Sequence, residues 1–220
     1  GLVGSGKSQI GRACFGLEKI IQGEITLNNE SIFNSKTKLN KLSPARMLKK
    51  GLYYLPSDRR SEGLVMINNV RENIALSNLD LPTFSGPLFL RRFKEKNETK
   101  RVAQEVELQP LNIEQDLDHF SGGNQQKVLV GKSLARDVKL FILDEPTVGV
   151  DVGARVSIYR FIKELCESGA GVLLISSDLP EILNLTHRAY VMHRGKCCAE
   201  LDKDNLTEQA VLNFFFEKED

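Results

Sequence analysis

The sequence has almost no net charge and no long hydrophobic run. Its 220 residues include 30 Lys and Arg against 29 Asp and Glu, which leaves a formal net charge of +1. This balance gives no electrostatic reason to expect a nucleic-acid partner or an anionic membrane surface. No apolar run approaches the roughly 18 residues that a membrane-spanning helix needs. Apolar residues still make up 41% of the chain, enough for the core of one large domain or two small ones.

Cysteine is also scarce, and its spacing excludes common metal sites. The four cysteines are Cys14, Cys166, Cys197 and Cys198, with no CxxC pair and no Cys/His cluster among them. Such spacing favours reduced thiols in a cytosolic protein over disulfides or a zinc site.

Predicted strands alternate with predicted helices along most of the chain. Apolar runs predict strands at 23–28, 51–56, 139–146 and 171–178, and helical patterns cover 8–17, 70–76, 91–108, 121–136 and 154–168. A hairpin is expected to turn at Arg194 and Gly195. This alternation predicts an α/β fold with a mostly parallel sheet, and the largely helical stretch of about 68–136 is expected to form a separate lobe.

The chain opens directly on a glycine-rich loop, with no strand before Gly1. A loop that binds phosphate normally joins a buried strand to a helix. We therefore expect the sequence to begin inside a longer polypeptide, with the first strand of the domain upstream of Gly1.

The opening residues, GLVGSGKS, fit the pattern G-x-x-x-x-G-K-[ST] of a phosphate-binding loop. Glycines allow backbone N–H groups to turn inward around phosphate oxygens, and the following helix adds its positive N-terminal end. Lys7 is expected to reach the β- and γ-phosphates, and the Ser8 hydroxyl to ligate Mg²⁺. The alternative is a chance glycine turn before a helix.

Two carboxylates, Asp144 and Glu145, follow the apolar run LFIL. Ligands of α/β sheets bind at the carboxyl ends of the parallel strands, where these residues are expected. Asp144 is suited to holding Mg²⁺ through its water shell, and Glu145 to polarising an attacking water. The alternative is a solvated strand end followed by Pro146.

The stretch FSGGNQQK, at 120–127, places two glycines at the start of a predicted helix. With the phosphate loop and the acidic pair in this order, the chain resembles the ATP-binding cassette superfamily, whose signature is a Ser-Gly-Gly sequence opening a helix. In that family two domains pack head to tail, and each signature caps the γ-phosphate held by the other domain.

The signature has a physical reason for its composition. Gly122 and Gly123 allow close backbone approach to a phosphate, Ser121 offers a hydrogen bond, and the helix N-terminus adds positive charge. The alternative is a serine-capped helix without a ligand.

Further stretches narrow the resemblance. YLPSDRRSEGLVMINNVRENIAL at 54–76, SGGNQQKV, DEPTVGVDVGA at 144–154 and ISSDLPEIL at 175–183 resemble the second cassette of tandem-cassette bacterial monosaccharide importers. The resemblance implies a P-loop NTPase with a RecA-like parallel sheet, an antiparallel β element and a helical subdomain at about 68–136, all within one domain over 1–220. It implies pairing with an upstream first cassette on the same polypeptide, or with a second cassette.

The same resemblance implies the surroundings of the protein. A cassette of this kind works at the cytoplasmic face of the inner membrane, attached through permease subunits that the helical lobe would touch. An extracytoplasmic solute-binding protein acts indirectly, and nucleic acid is not a partner.

The resemblance also implies the roles of individual residues. ATP would be bound by Gly1, Gly4, Ser5, Gly6, Lys7, Ser8 and Gln9, with Ser57 and Ser177 at the edge of the site. Mg²⁺ would be held by Ser8 and Asp144, and Glu145 would be catalytic. The opposite nucleotide would meet Ser121, Gly122, Gly123, Asn124 and Asp151.

Two positions depart from the family pattern. Many cassettes have a glutamine where Ser57 stands, followed here by Asp58 and Arg59, and a histidine where Ser177 stands. A serine hydroxyl cannot carry the positive charge of an imidazolium. A regulatory cassette with little hydrolysis at its own site therefore stays open as an alternative.

A soluble cassette protein acting on ribosomes or DNA is the other alternative. The near-neutral charge and the absence of a long coiled-coil insertion between the phosphate loop and the signature argue against it.

Overall fold

The computed structural model describes residues 1–37 and 42–216, and their side chains as far as Phe214. The chain divides into two compact units. The first comprises Gly1–Tyr54, Ile142–Glu145 and Val172–Asp220, and the second comprises Leu55–Phe141 and Pro146–Gly171.

The elements are numbered along the chain. Those of the first unit are α1 (Lys7–Phe15), β1 (Glu24–Leu27), β2 (Glu30–Asn34), α2 (Pro44–Lys49), β3 (Leu52–Leu55), β4 (Leu140–Asp144), β5 (Gly171–Ile175), α7 (Leu179–Leu185), β6 (Arg188–His193), β7 (Lys196–Asp202) and α8 (Glu208–Phe216), although the ends of β3, β4 and β5 fall in the second unit. Those of the second unit are a π-helical turn (Arg59–Gly63), α3 (Val70–Leu76), α4 (Arg92–Glu105), a 3-10 turn (Leu117–His119), α5 (Gly122–Leu134) and α6 (Val152–Glu167).

A parallel sheet with strand order β3-β4-β5 forms the centre of the first unit. Every residue of β3 is buried, as is β4 after its first residue. Parallel strands are covered on both faces and are therefore near-continuous apolar runs, which is why these strands could be recognised from sequence. The predicted α/β class is confirmed.

Two antiparallel pairs accompany this sheet. Strands β1 and β2 pair with each other, and β6 and β7 form the predicted hairpin around Arg194 and Gly195. Val191 of the hairpin, together with Leu206 and Val211, forms a small core on which α7 packs.

The sequence reading missed β2, α2, α7 and the π-helical turn, since each is seven residues or shorter and has little periodicity.

Three helices of the second unit, α3, α4 and α5, pack on one another. Their buried faces include Val70, Ile74, Val102, Val128 and Leu129. The Asn78 amide ties two of them together, since it donates to the Ile74 carbonyl at 2.7 Å and to the Lys132 carbonyl at 2.9 Å. None of the described helices is both long enough and apolar enough to span a bilayer.

Helix α1 lies close against the parallel sheet at Gly11. A Cβ atom at this position would lie 2.7 Å from Ile175 Cδ1, 2.9 Å from Ile142 Cγ2 and 3.3 Å from Tyr54 Cε2. These distances are too short for carbon atoms in contact. The glycine therefore sets how closely the helix after the phosphate loop approaches the strands that carry the acidic residues.

Replacing Gly11 with alanine is expected to destabilise the protein by about 1–3 kcal/mol through overpacking, of which helix propensity restores at most about 1 kcal/mol. The matched control is Gly86→Ala, because a Cβ there has its nearest neighbour at 3.5 Å and the change should cost little. Urea unfolding of both variants is the measurement. Equal midpoints for the two would show that the close approach at Gly11 carries no energetic weight.

Candidate functional site

The phosphate loop occupies the start of the first unit and ends on α1. Gly4 and Gly6 have φ angles of 80° and 91°, in the left-handed region that favours glycine. The loop is anchored by a hydrogen bond from the Gly195 N–H to the Ser5 carbonyl at 2.9 Å. The Ser5 hydroxyl is buried without a partner among the described residues, and nothing lies within 4 Å of a Cβ built on Gly4. An open glycine turn with a spare donor fits a bound phosphate.

Lys7 and Glu145 form an ion pair in this site. Lys7 Nζ lies 3.0 Å from Glu145 Oε1, and both side chains are 11% exposed. The second carboxylate oxygen of Glu145 accepts a hydrogen bond from the backbone N–H of Ser177 at 3.1 Å. Glu145 itself has a φ of 49°, a strained angle for a residue with a side chain, and its N–H donates to the Ile175 carbonyl at 2.8 Å. The candidate base is therefore held from three directions.

Asp144 is the most enclosed acid of the site. Its side chain is buried, Ser8 Oγ donates to its Oδ1 at 2.8 Å, and the Tyr54 hydroxyl donates to its Oδ2 at 2.8 Å. Sequence analysis predicted Ser8 and Asp144 as partners but missed Tyr54. Strand β3 is a short, fully buried run. Nothing in such a run indicates that the hydroxyl of one of its tyrosines contacts an acid on a neighbouring strand.

Burial and hydrogen bonding act in opposite directions on this carboxyl. Burial raises the pKa of Asp144 above its usual value, while the hydrogen bonds from Tyr54 and Ser8 favour the charged form and lower it. Burial, and then the hydrogen bond to Asp144, raise the pKa of Tyr54, so that its hydroxyl stays a donor. The two hydroxyls thus counteract part of the effect of burial on the pKa of this carboxyl.

The donor set suits a hard divalent cation. Ser8 and Asp144 offer a hydroxyl and a carboxylate oxygen side by side, and oxygen ligands are those that Mg²⁺ prefers. Ser8 follows Lys7, so a cation here would lie next to the end of the phosphate loop. The residues therefore fit a Mg²⁺–nucleotide at this place.

The signature residues lie in the second unit, at the start of α5. Ser121 is exposed and caps the helix, accepting hydrogen bonds from the Asn124 backbone N–H at 3.4 Å and from its side-chain amide at 3.1 Å. The Asn124 side-chain oxygen in turn accepts from the Gln109 N–H at 3.1 Å. The predicted cap is confirmed, and the serine faces solvent.

The two glycines of the signature are also required inside the second unit. A Cβ on Gly123 would lie 3.0 Å from Ala154 Cβ and 3.2 Å from Asp151 Oδ2, and one on Gly122 would lie 2.9 Å from Arg59 Nη2. Asp151 caps α6 by accepting from the Ala154 N–H at 2.9 Å. Signature and Asp151 are therefore neighbours in this unit, as their common assignment to an opposite nucleotide requires.

The predicted residues divide between the units. The first unit brings together the phosphate loop, Ser8, Asp144, Glu145 and Ser177, with Gln9 exposed on α1. The second contains Ser57, exposed between β3 and the π-helical turn, and the signature with Asp151.

Comparison with known proteins identifies the family to which the chain is similar. The family described as ABC transporter matches residues 1–148. The chain is 39% identical over 213 residues to a ribose import ATP-binding protein, RbsA, of Caldanaerobacter subterraneus, covering 96% of this chain and 41% of that protein. It is 38% identical over 215 residues to RbsA of Lactococcus lactis subsp. cremoris, again covering 96% of this chain and 41% of that protein. The chain thus spans about two fifths of the length of these relatives.

Solved structures show the same fold. One described as MJ1267, an ATP-binding cassette of an ABC transporter, superposes with a TM-score of 0.77 at 22% identity, covering 97% of this chain and 84% of that one. A dimeric post-hydrolysis cassette, MJ0796 bound to ADP and Pi, gives a TM-score of 0.73 at 21% identity, covering 92% and 82%.

Replacing Tyr54 with phenylalanine is expected to weaken divalent-metal binding by about 10-fold, since an outer partner of a metal ligand is lost. The pKa of Asp144 rises further when the hydrogen bond that favours its anion is removed, so the loss should grow as the pH falls. Mn²⁺ titration followed by electron paramagnetic resonance, with ATP present, measures it across pH.

Tyr190→Phe is the matched control, because its hydroxyl donates to the exposed Glu200 at 3.1 Å, on the hairpin. Identical Mn²⁺ affinities for the Tyr54 and Tyr190 variants would exclude a role for Tyr54 in holding Asp144.

Proposed function

Because this chain belongs to the ABC transporter family, we propose that it binds and hydrolyses ATP to power an importer of a monosaccharide or a similar small polar solute. The observation that carries the proposal is the convergence of Lys7, Ser8, Asp144 and Glu145 in one unit, at 2.8–3.0 Å contacts. The relatives named as ribose import ATP-binding proteins support the class of solute.

ATP binding requires Lys7 to leave Glu145. The ammonium that now contacts Glu145 at 3.0 Å is the group that would reach the β- and γ-phosphates. The nucleotide thus competes with Glu145 for Lys7. Once released, the carboxylate is free to accept a proton from a water that attacks the γ-phosphate, while the N–H of Ser177 still fixes one of its oxygens.

Mg²⁺ would be held by Ser8 and Asp144, and when bound it neutralises charge on the phosphates. Tyr54 keeps Asp144 oriented by occupying its other oxygen. Backbone N–H groups from Gly4 to Ser8, together with Gln9, are the remaining contacts proposed for the nucleotide, with Gly1 and the Ser5 side chain beside them.

The signature is proposed to act on a second cassette. Ser121 is exposed at a helix N-terminus, where N–H groups and the helix dipole favour an anion. We assign Ser121, Gly122, Gly123, Asn124 and Asp151 to the γ-phosphate side of a nucleotide bound by a partner cassette. The similar fold of a cassette solved as a dimer supports this pairing.

Residues 1–220 are proposed to form one cassette with a helical subdomain at about 68–136, the second of two in a tandem polypeptide. A chain that spans 41% of the length of its relatives is consistent with one of two cassettes. The partner would then be the upstream cassette of the same polypeptide.

The proposed permease contact lies on the second unit, in the segment just before α4 and in the first turn of that helix. Leu88, Phe89 and Phe93 are 84%, 79% and 79% exposed. Exposure of such large apolar side chains to water is unfavourable, and burial against another protein would remove it. The cassette would lie at the cytoplasmic face of the inner membrane, held there by the permease, with an extracytoplasmic solute-binding protein acting through that permease.

A regulatory cassette is the second candidate, and Ser177 is the observation that favours it. It meets Glu145 only through its backbone N–H, so no side-chain cation comes from this position to the reacting phosphate. Binding without appreciable turnover at this site would then be the function.

Glu145→Gln is expected to keep ATP binding and to lower ATP hydrolysis by about 100-fold or more, because the amide cannot accept the proton. Affinity is expected to be equal or tighter, since the pair that competes for Lys7 is weakened. The measurements are ATP binding, ATPase rate and solute uptake by the complete transporter, with the exposed Glu167→Gln as control. Undiminished uptake and hydrolysis would establish the regulatory alternative.

For the 220-residue chain purified without an upstream cassette, ATP hydrolysis per mole is expected to rise with protein concentration, because two copies of the chain must then meet. A single cassette should bind ATP–Mg²⁺ yet turn over slowly, because no signature faces its γ-phosphate. ATPase activity per mole, measured over a 100-fold dilution series, tests this at saturating ATP. Fast turnover that does not change on dilution would contradict head-to-tail pairing of separate chains.

A further inference from the structure

One guanidinium connects three segments of the second unit. Arg59 Nε donates to Gln125 Oε1, its Nη1 to the Val148 carbonyl and its Nη2 to the Gly149 carbonyl, each at 3.4 Å. All three acceptors are neutral oxygens, so the contact depends on the forked shape of the side chain as well as on its charge. The three segments are the turn after β3, helix α5 and the loop before α6.

The backbone around Arg59 is fixed by its neighbours. Asp58 accepts hydrogen bonds from the N–H groups of Arg60 at 2.9 Å and Ser61 at 3.1 Å, which caps the π-helical turn. The far end of that turn is tied to α5, because Lys132 Nζ donates to the Gly63 carbonyl at 2.6 Å. Arg59 therefore projects from a turn that is itself attached to the signature helix.

The N-terminus of α5, which carries the signature, lies in close contact with the Arg59 side chain. A Cβ on Gly122 would lie 2.9 Å from Arg59 Nη2, so any residue other than glycine would displace the guanidinium. Gln125, which accepts from Arg59, is 1% exposed and holds the carbonyls of Leu117 and Phe120 through its amide at 3.1 and 3.0 Å. The residues just before Ser121 are thus linked to Arg59 through one buried amide.

The loop on the other side leads to Asp151. Gly149, whose carbonyl Arg59 contacts, has a φ of 69°, and Asp151 two residues later caps α6. Asp151 Oδ2 lies 3.2 Å from the position of a Cβ on Gly123, so the loop and the signature approach within contact distance. The Arg59 side chain contacts both sides of the same gap, through Gln125 of α5 and the carbonyls of Val148 and Gly149.

We propose that Arg59 is a positioning residue that holds the signature and the loop of Val148 to Asp151 at the spacing needed to cap the nucleotide of a partner cassette. The inference rests on the proposed head-to-tail function and adds a residue two positions after Ser57, one of the two positions where this chain departs from the family pattern. Arg59 would act on catalysis in the partner site, and not on ATP binding by the phosphate loop of its own chain.

The test compares Arg59→Ala, Arg59→Lys and the control Arg60→Ala, which removes an exposed neighbouring cation. Two quantities are measured in the purified protein: the Kd for ATP at high dilution and the maximal ATPase rate at high protein concentration. Arg59→Ala is expected to lower the rate by about 10- to 100-fold, because small misplacements of catalytic groups have effects of this size. Its Kd for ATP should stay within about twofold of the unaltered protein.

Lysine retains the charge and much of the length of arginine, so Arg59→Lys tests the proposal even where alanine prevents folding. It should recover less than about a third of the rate, because one ammonium cannot span the two carbonyls and the amide. The proposal is overturned by a full rescue with lysine, by an Arg59→Ala rate equal to that of Arg60→Ala, or by an equal loss of ATP affinity. For the unaltered 220-residue chain purified without an upstream cassette, a rate independent of protein concentration would instead refute the pairing on which the proposal rests.

Discussion

The metal site proposed for the first unit depends on how one buried carboxyl, that of Asp144, is hydrogen-bonded. Asp144 ends a strand that is enclosed on both sides, and burial alone raises its pKa. The hydroxyls of Ser8 and Tyr54, each 2.8 Å away, offset this effect by donating to both carboxylate oxygens. Ser8 belongs to α1 and Tyr54 to β3. By accepting a hydrogen bond from each, Asp144 also fixes the position of α1 relative to the sheet. Gly11 makes that register attainable by allowing the helix to come close.

Glycines have two different structural roles in this protein. In the phosphate loop, Gly4 and Gly6 adopt left-handed angles that a residue with a side chain rarely adopts. In the signature, Gly122 and Gly123 are required by neighbours within the same unit, namely Arg59, Ala154 and Asp151. A substitution in the signature is therefore expected to alter packing inside the cassette as well as contact with a partner's nucleotide.

Sequence reasoning located the elements that carry strong periodic or apolar patterns and failed for the short ones. Helix α3 was predicted at its observed bounds, and β4 within two residues of its ends, whereas α2 and α7 were missed. The Ser121 cap of α5 was predicted, whereas the Asp151 cap of α6 was found only in the structure. Tyr54 and Arg59 act through contacts 90 residues away in sequence, with Asp144 and Gly149 respectively, so no local pattern could reveal them.

The sequence by itself determined the class of fold and which residues are proposed to meet a nucleotide, because a glycine loop with lysine and serine, and an acidic pair after an apolar strand, have few other uses. Only the tertiary structure decided which atoms hold these groups in place. Hydrogen bonds of 2.8–3.4 Å between segments distant in sequence depend on the distance between strands, helices and turns, and that distance is set by packing, which one-dimensional spacing does not encode.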